Sequence, residues 1–264
     1  MIPDSPDARL SIRAVNMLRA AELERVRALV EGRGHGLLFL KGLAFVDTLY
    51  ADPGDRAMCD VDLLVRPGER AAVAEVMYGL GYERPRGIVS RQRPVTVETD
   101  YEWGLRSPPP LSTSVELHTG FCQPTRFEVD LEGVWQRARR HRAAGREIPT
   151  LCAEDQVLYL ALHLGKHAFI ADGRCDEDLK RVIAQWRPDW TVVVERAGQW
   201  RIRTNLYIAL MRARSVGAEV PQGVLDELRP RVLRRLLMGR VVDVDDGYHA
   251  RSQRWSRTWQ AATV

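Results

Sequence analysis

Two carboxylates one residue apart inside a short apolar run constrain this chain more than any other feature. The run is Cys59-Asp60-Val61-Asp62-Leu63-Leu64-Val65. Short, apolar and β-branched, it predicts a strand over residues 59–65. Side chains at i and i+2 of a strand share a face, so Asp60 and Asp62 aim at one point in space. Like charges held that close are costly unless a cation stands between them. Mg2+ meets the requirement, because it takes hard oxygen ligands and usually works together with substrate phosphates.

Upstream, Leu37-Leu38-Phe39-Leu40 reads as a short buried strand that ends in Lys41-Gly42. The pattern predicts a helix over 42–50, stopped by the turn signal Asp52-Pro53-Gly54. A glycine opening a helix directly after a strand is a natural anion site. A lysine just before that helix opposes its dipole, so an anionic partner would account for Lys41. Lysine is also scarce here, confined to Lys41, Lys166 and Lys180. A further strand is predicted over 112–118, and Glu116 within Ser114-Val115-Glu116-Leu117-His118 supplies a third carboxylate. It can bind a second metal or take a proton from an attacking hydroxyl. Arg56 is a candidate phosphate contact or a partner of Asp55 in the preceding turn, and His118 is a candidate substrate contact or a packed histidine.

The remainder reads as an α+β chain. Apolar positions at helical spacing predict a helix over 8–32, and another runs from about Pro67 to Leu80 and stops at Gly81. Residues 95–106 alternate as a strand. From about 153 to 240 the pattern is almost wholly helical, with stripes such as Val157, Leu158, Leu160, Ala161 and Leu164, and Leu225, Leu228, Val232 and Leu236. Residues 136–150, rich in Arg and Gly, read as the connection. The expected domains are 1–135 and 150–245, with a basic aromatic tail over 246–264 that carries Trp255 and Trp259. The cleft between the two domains is the expected place for nucleotide and acceptor.

Composition narrows the partners. With 264 residues, 45% hydrophobic and 28% charged, the chain is an ordinary globular protein. No apolar run is long enough for a membrane span, and no secretory signal is visible, so a cytoplasmic location is expected. The net charge of +4 comes from arginines dispersed along the chain, which does not indicate a nucleic-acid groove. Cys59, Cys122, Cys152 and Cys175 are widely spaced and fit reduced thiols. His163 and His167 have a spacing that can bind zinc, but no third ligand is evident. Asp176-Glu177-Asp178 reads as the acidic first turn of a helix.

Order and spacing of these motifs resemble the DNA polymerase β superfamily of nucleotidyltransferases, most closely the branch called uncharacterised nucleotidyltransferase family 5. The matching residues are Leu40-Lys41-Gly42, Tyr50, Arg56, Asp60-Val61-Asp62-Leu63-Leu64-Val65, Gly81-Tyr82, Val115-Glu116-Leu117-His118, Glu154-Asp155 and His163-x-x-x-His167, over about residues 20–220. Lys-Gly stands where the wider superfamily has Gly-Ser or Gly-Gly, and Met58-Cys59 precedes Asp60 where a small residue is usual. The resemblance implies a polymerase-β-like mixed sheet followed by a helical domain. It implies Mg2+- or Mn2+-dependent transfer of a nucleoside monophosphate from an NTP such as ATP to a small-molecule, peptide or protein acceptor, in a setting such as natural-product or peptide biosynthesis. Asp60, Asp62 and Glu116 would be the metal-binding and catalytic residues, with Lys41, Gly42, Arg56 and His118 on the NTP. The alternatives are a non-catalytic nucleotide- or peptide-binding accessory protein and a kinase-type phosphotransferase using the same site.

Overall fold

A computed structural model describes residues 5–84, 101–122, 127–167, 169 and 173–230. The chain divides into two compact units, Met1–Gln123 with Leu131–Cys152, and Pro124–Asp130 with Ala153–Val264. The tail over 246–264, Val232 and Leu236 of the last stripe, and the first half of the strand expected over 95–106 lie outside the described residues.

The first unit begins with helix α1 (Pro6–Glu31), where Pro6 occupies the first turn and the Ser5 hydroxyl accepts from the Ala8 amide at 3.2 Å. Its buried positions, Asn16, Ala20, Leu23, Val26 and Val30, follow the helical period and form one stripe. Next come β1 (Leu38–Phe39), β2 (Asp60–Leu64), helix α2 (Arg70–Gly79), β3 (Glu102–Arg106), β4 (Ser114–His118), helix α3 (Leu131–Gln136), β5 (Arg139–Ala143) and β6 (Arg146–Thr150). The strands form one mixed sheet in the order β3-β4-β2-β1-β6-β5. Strands β2 and β4 are parallel, as are β1 and β6; the other neighbours are antiparallel. Val61, Leu63, Leu105, Val115 and Leu117 are all fully buried. They belong to the opposite alternation from Asp60, Asp62 and Glu116, so one sheet face feeds the core and the other carries the charges.

Two expectations need correction. Residues 42–50 do not form a helix: Gly42–Phe45 is a four-residue 3-10 turn, and the chain then turns back so that the Asp47 amide bonds to the Tyr50 carbonyl at 3.0 Å. The argument from a helix dipole at Gly42 therefore falls. Residues 136–150 are not a plain connection either. They include the β5–β6 hairpin, turned by Ala144 and Gly145 at φ 48° and 76°. Positive φ at both central residues is the twist-matched two-residue hairpin turn. The Thr150 hydroxyl donates to the Phe39 carbonyl at 2.5 Å, tying β6 to β1.

The second unit is helical in its described part, as the apolar stripes predict: α4 (Ala153–Lys166), α5 (Arg174–Arg181), α6 (Trp190–Gln199), α7 (Arg203–Ser215) and α8 (Gln222–Leu228). Asp176 lies in the first turn of α5 and forms a two-point ion pair with Arg212 of α7 at 2.6 and 3.0 Å. Asp155, fully buried, pairs with Arg196 of α6 at 2.7 Å, and Glu154 accepts from the Asp189 amide at 3.0 Å. His163 and His167 stack edge to face, 4.7 Å between ring centroids.

Candidate functional site

The parallel β2–β4 pairing builds the site. Its register sets Asp60 beside Ser114, Asp62 beside Glu116 and Leu64 beside His118. Cross-strand partners and i+2 neighbours share a face. Asp60, Asp62, Glu116 and His118 therefore stand on one side of the sheet, as the two separate motifs imply. The antiparallel β3 extends this face, with Glu102 opposite His118 and Gly104 opposite Glu116. A Cβ placed on Gly104 would meet nothing within 4 Å among the described residues, so none of them closes the space over Glu116 from that side.

Asp62 is the centre. Its side chain is 2% exposed, against 36% for Asp60 and 27% for Glu116. One oxygen, Oδ1, lies 3.0 Å from His118 Nε2, and the other, Oδ2, lies 3.1 Å from Lys41 Nζ. Lys41 Nζ also reaches Asp60 Oδ1 at 3.8 Å. His118 Nε2 stands 3.3 Å from Glu116 Oε2, and Nδ1 faces Glu102 Oε2 at 3.9 Å. Ligand atoms of Asp62, Glu116 and His118 all lie within 4.8 Å of one another, a spacing that could hold a metal ion.

Burial and charge together set the titration of these groups. Burial alone would lower the Lys41 ammonium, but Asp62, with Asp60 and Glu116, outweighs it and holds the pKa above the usual lysine range. Burial likewise opposes protonation of His118, yet its contacts with Asp62 and Glu116 and the charge of Glu102 raise it to about 9. The Asp60 carboxyl is pushed up, first by burial and then by the charge of Asp62, with Lys41 opposing. Four carboxylates, Asp60, Asp62, Glu102 and Glu116, face Lys41 and His118, so negative charge is in excess. Oxygen-rich donors, close spacing and excess negative charge together fit a divalent cation.

Neighbouring segments fix this face. Gly42 has φ 58°, and a Cβ there would meet Met58 Sδ at 2.8 Å, so the turn after Lys41 needs glycine for both its backbone and its packing. Arg56 is 9% exposed and its guanidinium donates to the Ala57 carbonyl; the Arg56 carbonyl accepts from Asn16 of α1 at 2.8 Å. Asp55 pairs with Arg9 at 2.7 Å. Two residues near the cluster were not singled out from the sequence. Glu102 sits on β3, and nothing in a single chain reveals that β3 borders β4. Arg19 of α1 donates to the Met58 carbonyl at 2.8 Å and to Thr113 Oγ1 at 3.2 Å, fastening the entries of β2 and β4 together. It lies a full helix away in sequence from both, so spacing gives no signal.

Comparison with known proteins bears on the family and the fold. A family described as uncharacterised nucleotidyltransferase matches residues 7–217. No curated protein matches the chain. Among solved structures, the antibiotic-resistance factor ANT(2'')-Ia, determined in solution, is similar with a TM-score of 0.50 at 13% identity, covering 76% of this chain and 99% of that one. An antigenic nucleotidyltransferase-like protein from Paracoccidioides brasiliensis is similar with a TM-score of 0.43 at 13% identity, covering 85% of this chain and 93% of that one. At such identity the first likeness speaks to the fold alone, which is α+β with a mixed sheet and helices.

Proposed function

We propose, from the premise that the chain belongs to the uncharacterised nucleotidyltransferase family, that it transfers a nucleoside monophosphate from an NTP, ATP foremost, to an acceptor nucleophile and releases pyrophosphate. The observation that carries this reading is Asp62, nearly inaccessible and held at 3.0–3.1 Å between His118 and Lys41, with Glu116 as its cross-strand partner. Asp60, Asp62 and Glu116 would hold Mg2+ or Mn2+. A bound divalent ion supplies charge neutralisation at the α-phosphate and the departing pyrophosphate.

The chain's own groups would do the rest. Lys41 presents its ammonium to the phosphates from the carboxylate cluster, and Gly42 lets the backbone pass beside Met58 with no Cβ in the way. Glu116, more accessible than Asp62, takes the proton of the attacking hydroxyl. Arg56 provides further positive charge near the triphosphate, and His118 stands on the same side of the site. The acceptor is a small molecule, peptide or protein carrying that nucleophile, in a setting such as natural-product or peptide biosynthesis.

The test is product analysis with ATP labelled at the α- or the γ-phosphate, offered with Mg2+ or Mn2+ and a panel of acceptors. Label from the α-position in the acceptor, with pyrophosphate released, supports the proposal. Label from the γ-position would make the protein a phosphotransferase. Binding of ATP with no label transferred to any member of the panel would favour an accessory binding role.

A further inference from the structure

The geometry points to a mixed nitrogen and oxygen metal site: His118 ligates through Nε2 beside Asp62 and Glu116, and Glu102 on β3 orients the ring through Nδ1. The site would then take first-row transition cations such as Mn2+ or Co2+ in preference to Mg2+. This deepens the proposed reading of the site and does not depend on which phosphoryl group moves.

Three observations carry it. First, the distances fit a shared ion. Two ligands each about 2.1 Å from one octahedral ion and at right angles stand about 3.0 Å apart. His118 Nε2 lies 3.0 Å from Asp62 Oδ1 and 3.3 Å from Glu116 Oε2. The same ring nitrogen thus lies close to two carboxylate oxygens, where an ion could gather all three atoms. Second, the ring is held rather than mobile. His118 is 4% exposed, its carbonyl accepts from the Val65 amide at 2.8 Å, and the Tyr101 ring lies beside it with centroids 6.5 Å apart. Third, a carboxylate faces the opposite ring nitrogen. Glu102 Oε2 stands 3.9 Å from Nδ1 and is the direct cross-strand partner of His118. At 3.9 Å the two are an ion-pair distance apart, and closing to hydrogen-bond distance on metal binding would hold the proton on Nδ1 and leave Nε2 as the metal donor, as such carboxylate partners commonly do in metal sites. Imidazole in the donor set shifts preference away from Mg2+ and towards transition ions.

Mn2+ alone, without nucleotide, serves as the probe, read by pulsed electron paramagnetic resonance on the full chain. The expected result is a nitrogen hyperfine coupling on bound Mn2+ that changes to the 15N pattern when histidine alone is 15N-labelled. His118→Ala should abolish the coupling and cut the ratio of Mn2+ to Mg2+ affinity by about tenfold or more. Glu102→Gln should keep the coupling and weaken Mn2+ binding by about 10- to 100-fold. Bound Mn2+ without a histidine coupling in the wild type would overturn ligation, and the isotope measurement decides this even if His118→Ala fails to fold. A histidine coupling retained in folded His118→Ala would also overturn it. Wild-type Mn2+ affinity in Glu102→Gln would remove Glu102 from its positioning role. Nucleotidyl transfer by a protein whose Mn2+ carries no histidine coupling would overturn this inference and leave the proposed reaction standing; the coupling in a protein that transfers nothing to the acceptor panel would support this inference and count against the reaction.

Discussion

Asp62 and the two cations against it make a small set of charges whose removal has distinct signatures. Lys41→Ala deletes the ammonium 3.1 Å from Asp62. It should weaken NTP binding by about 1–3 kcal/mol, the range for a lost charge-assisted contact, while the fold persists. Calorimetry showing unchanged affinity in a folded variant would rule out the phosphate role. Glu116→Gln keeps shape and removes charge. NTP affinity should stay within a few-fold of wild type while turnover falls by about 100-fold or more, the scale of a positioned general base. A variant turning over at the wild-type rate would remove Glu116 from the mechanism. His118 makes a pH prediction for the metal-free protein. Its pKa is raised from 6.5 to about 9 in the folded state. Its stabilising contribution is therefore complete below pH 6.5 and is lost as pH rises through about 9. Denaturant unfolding should show wild-type stability declining across that window, and the decline should shrink in His118→Ala. Equal declines in the two proteins would contradict the assignment.

The elements show where close approach replaces side chains. Gly42→Ala introduces a methyl group against Met58 Sδ at 2.8 Å and a non-glycine residue at φ 58°. Stability should fall by about 1–2 kcal/mol from the backbone alone. Adding Met58→Ala should relieve only the packing part, so a double variant restored to wild-type stability by thermal melting would show that the φ constraint is unimportant. The acidic strand, the parallel partner bearing Glu116 and the helical second half were legible, because hydrophobic periodicity is local and each element is long enough to display it. The elements whose structure departs from the sequence pattern are short or composite. Gly42–Phe45 is too brief to separate a 3-10 turn from a helix by spacing. Strand β5 puts Arg139, Arg140 and Arg142 into solvent at a sheet edge, so its alternation is hidden by charge on both faces. The cluster itself was half legible. Asp60, Asp62, Glu116, Lys41 and His118 stand in named motifs, whereas Glu102 and Arg19 reach it only through strand order and helix docking, which no spacing encodes.

For the whole molecule, ligand linkage is the broadest test. Mg2+ or Mn2+ together with an NTP should raise the melting temperature more than either alone, because binding to the native state stabilises it. Identical shifts in wild type and in Asp60→Asn/Asp62→Asn would sink the metal assignment. Family and fold agree on a nucleotidyltransferase scaffold, and among the described residues no helix is long and apolar enough to cross a membrane. Gly104 lies directly across from Glu116, and a Cβ there meets no described atom within 4 Å. A strand glycine gives up packing and rigidity, so replacing it tends to help the sheet. Position 104 is thus a tuning point where side-chain bulk can be added in steps, Ala then Val then Phe, narrowing the space above the third carboxylate. A ladder of such variants would measure the acceptor as a ruler does, by the substitution at which transfer stops while NTP binding continues.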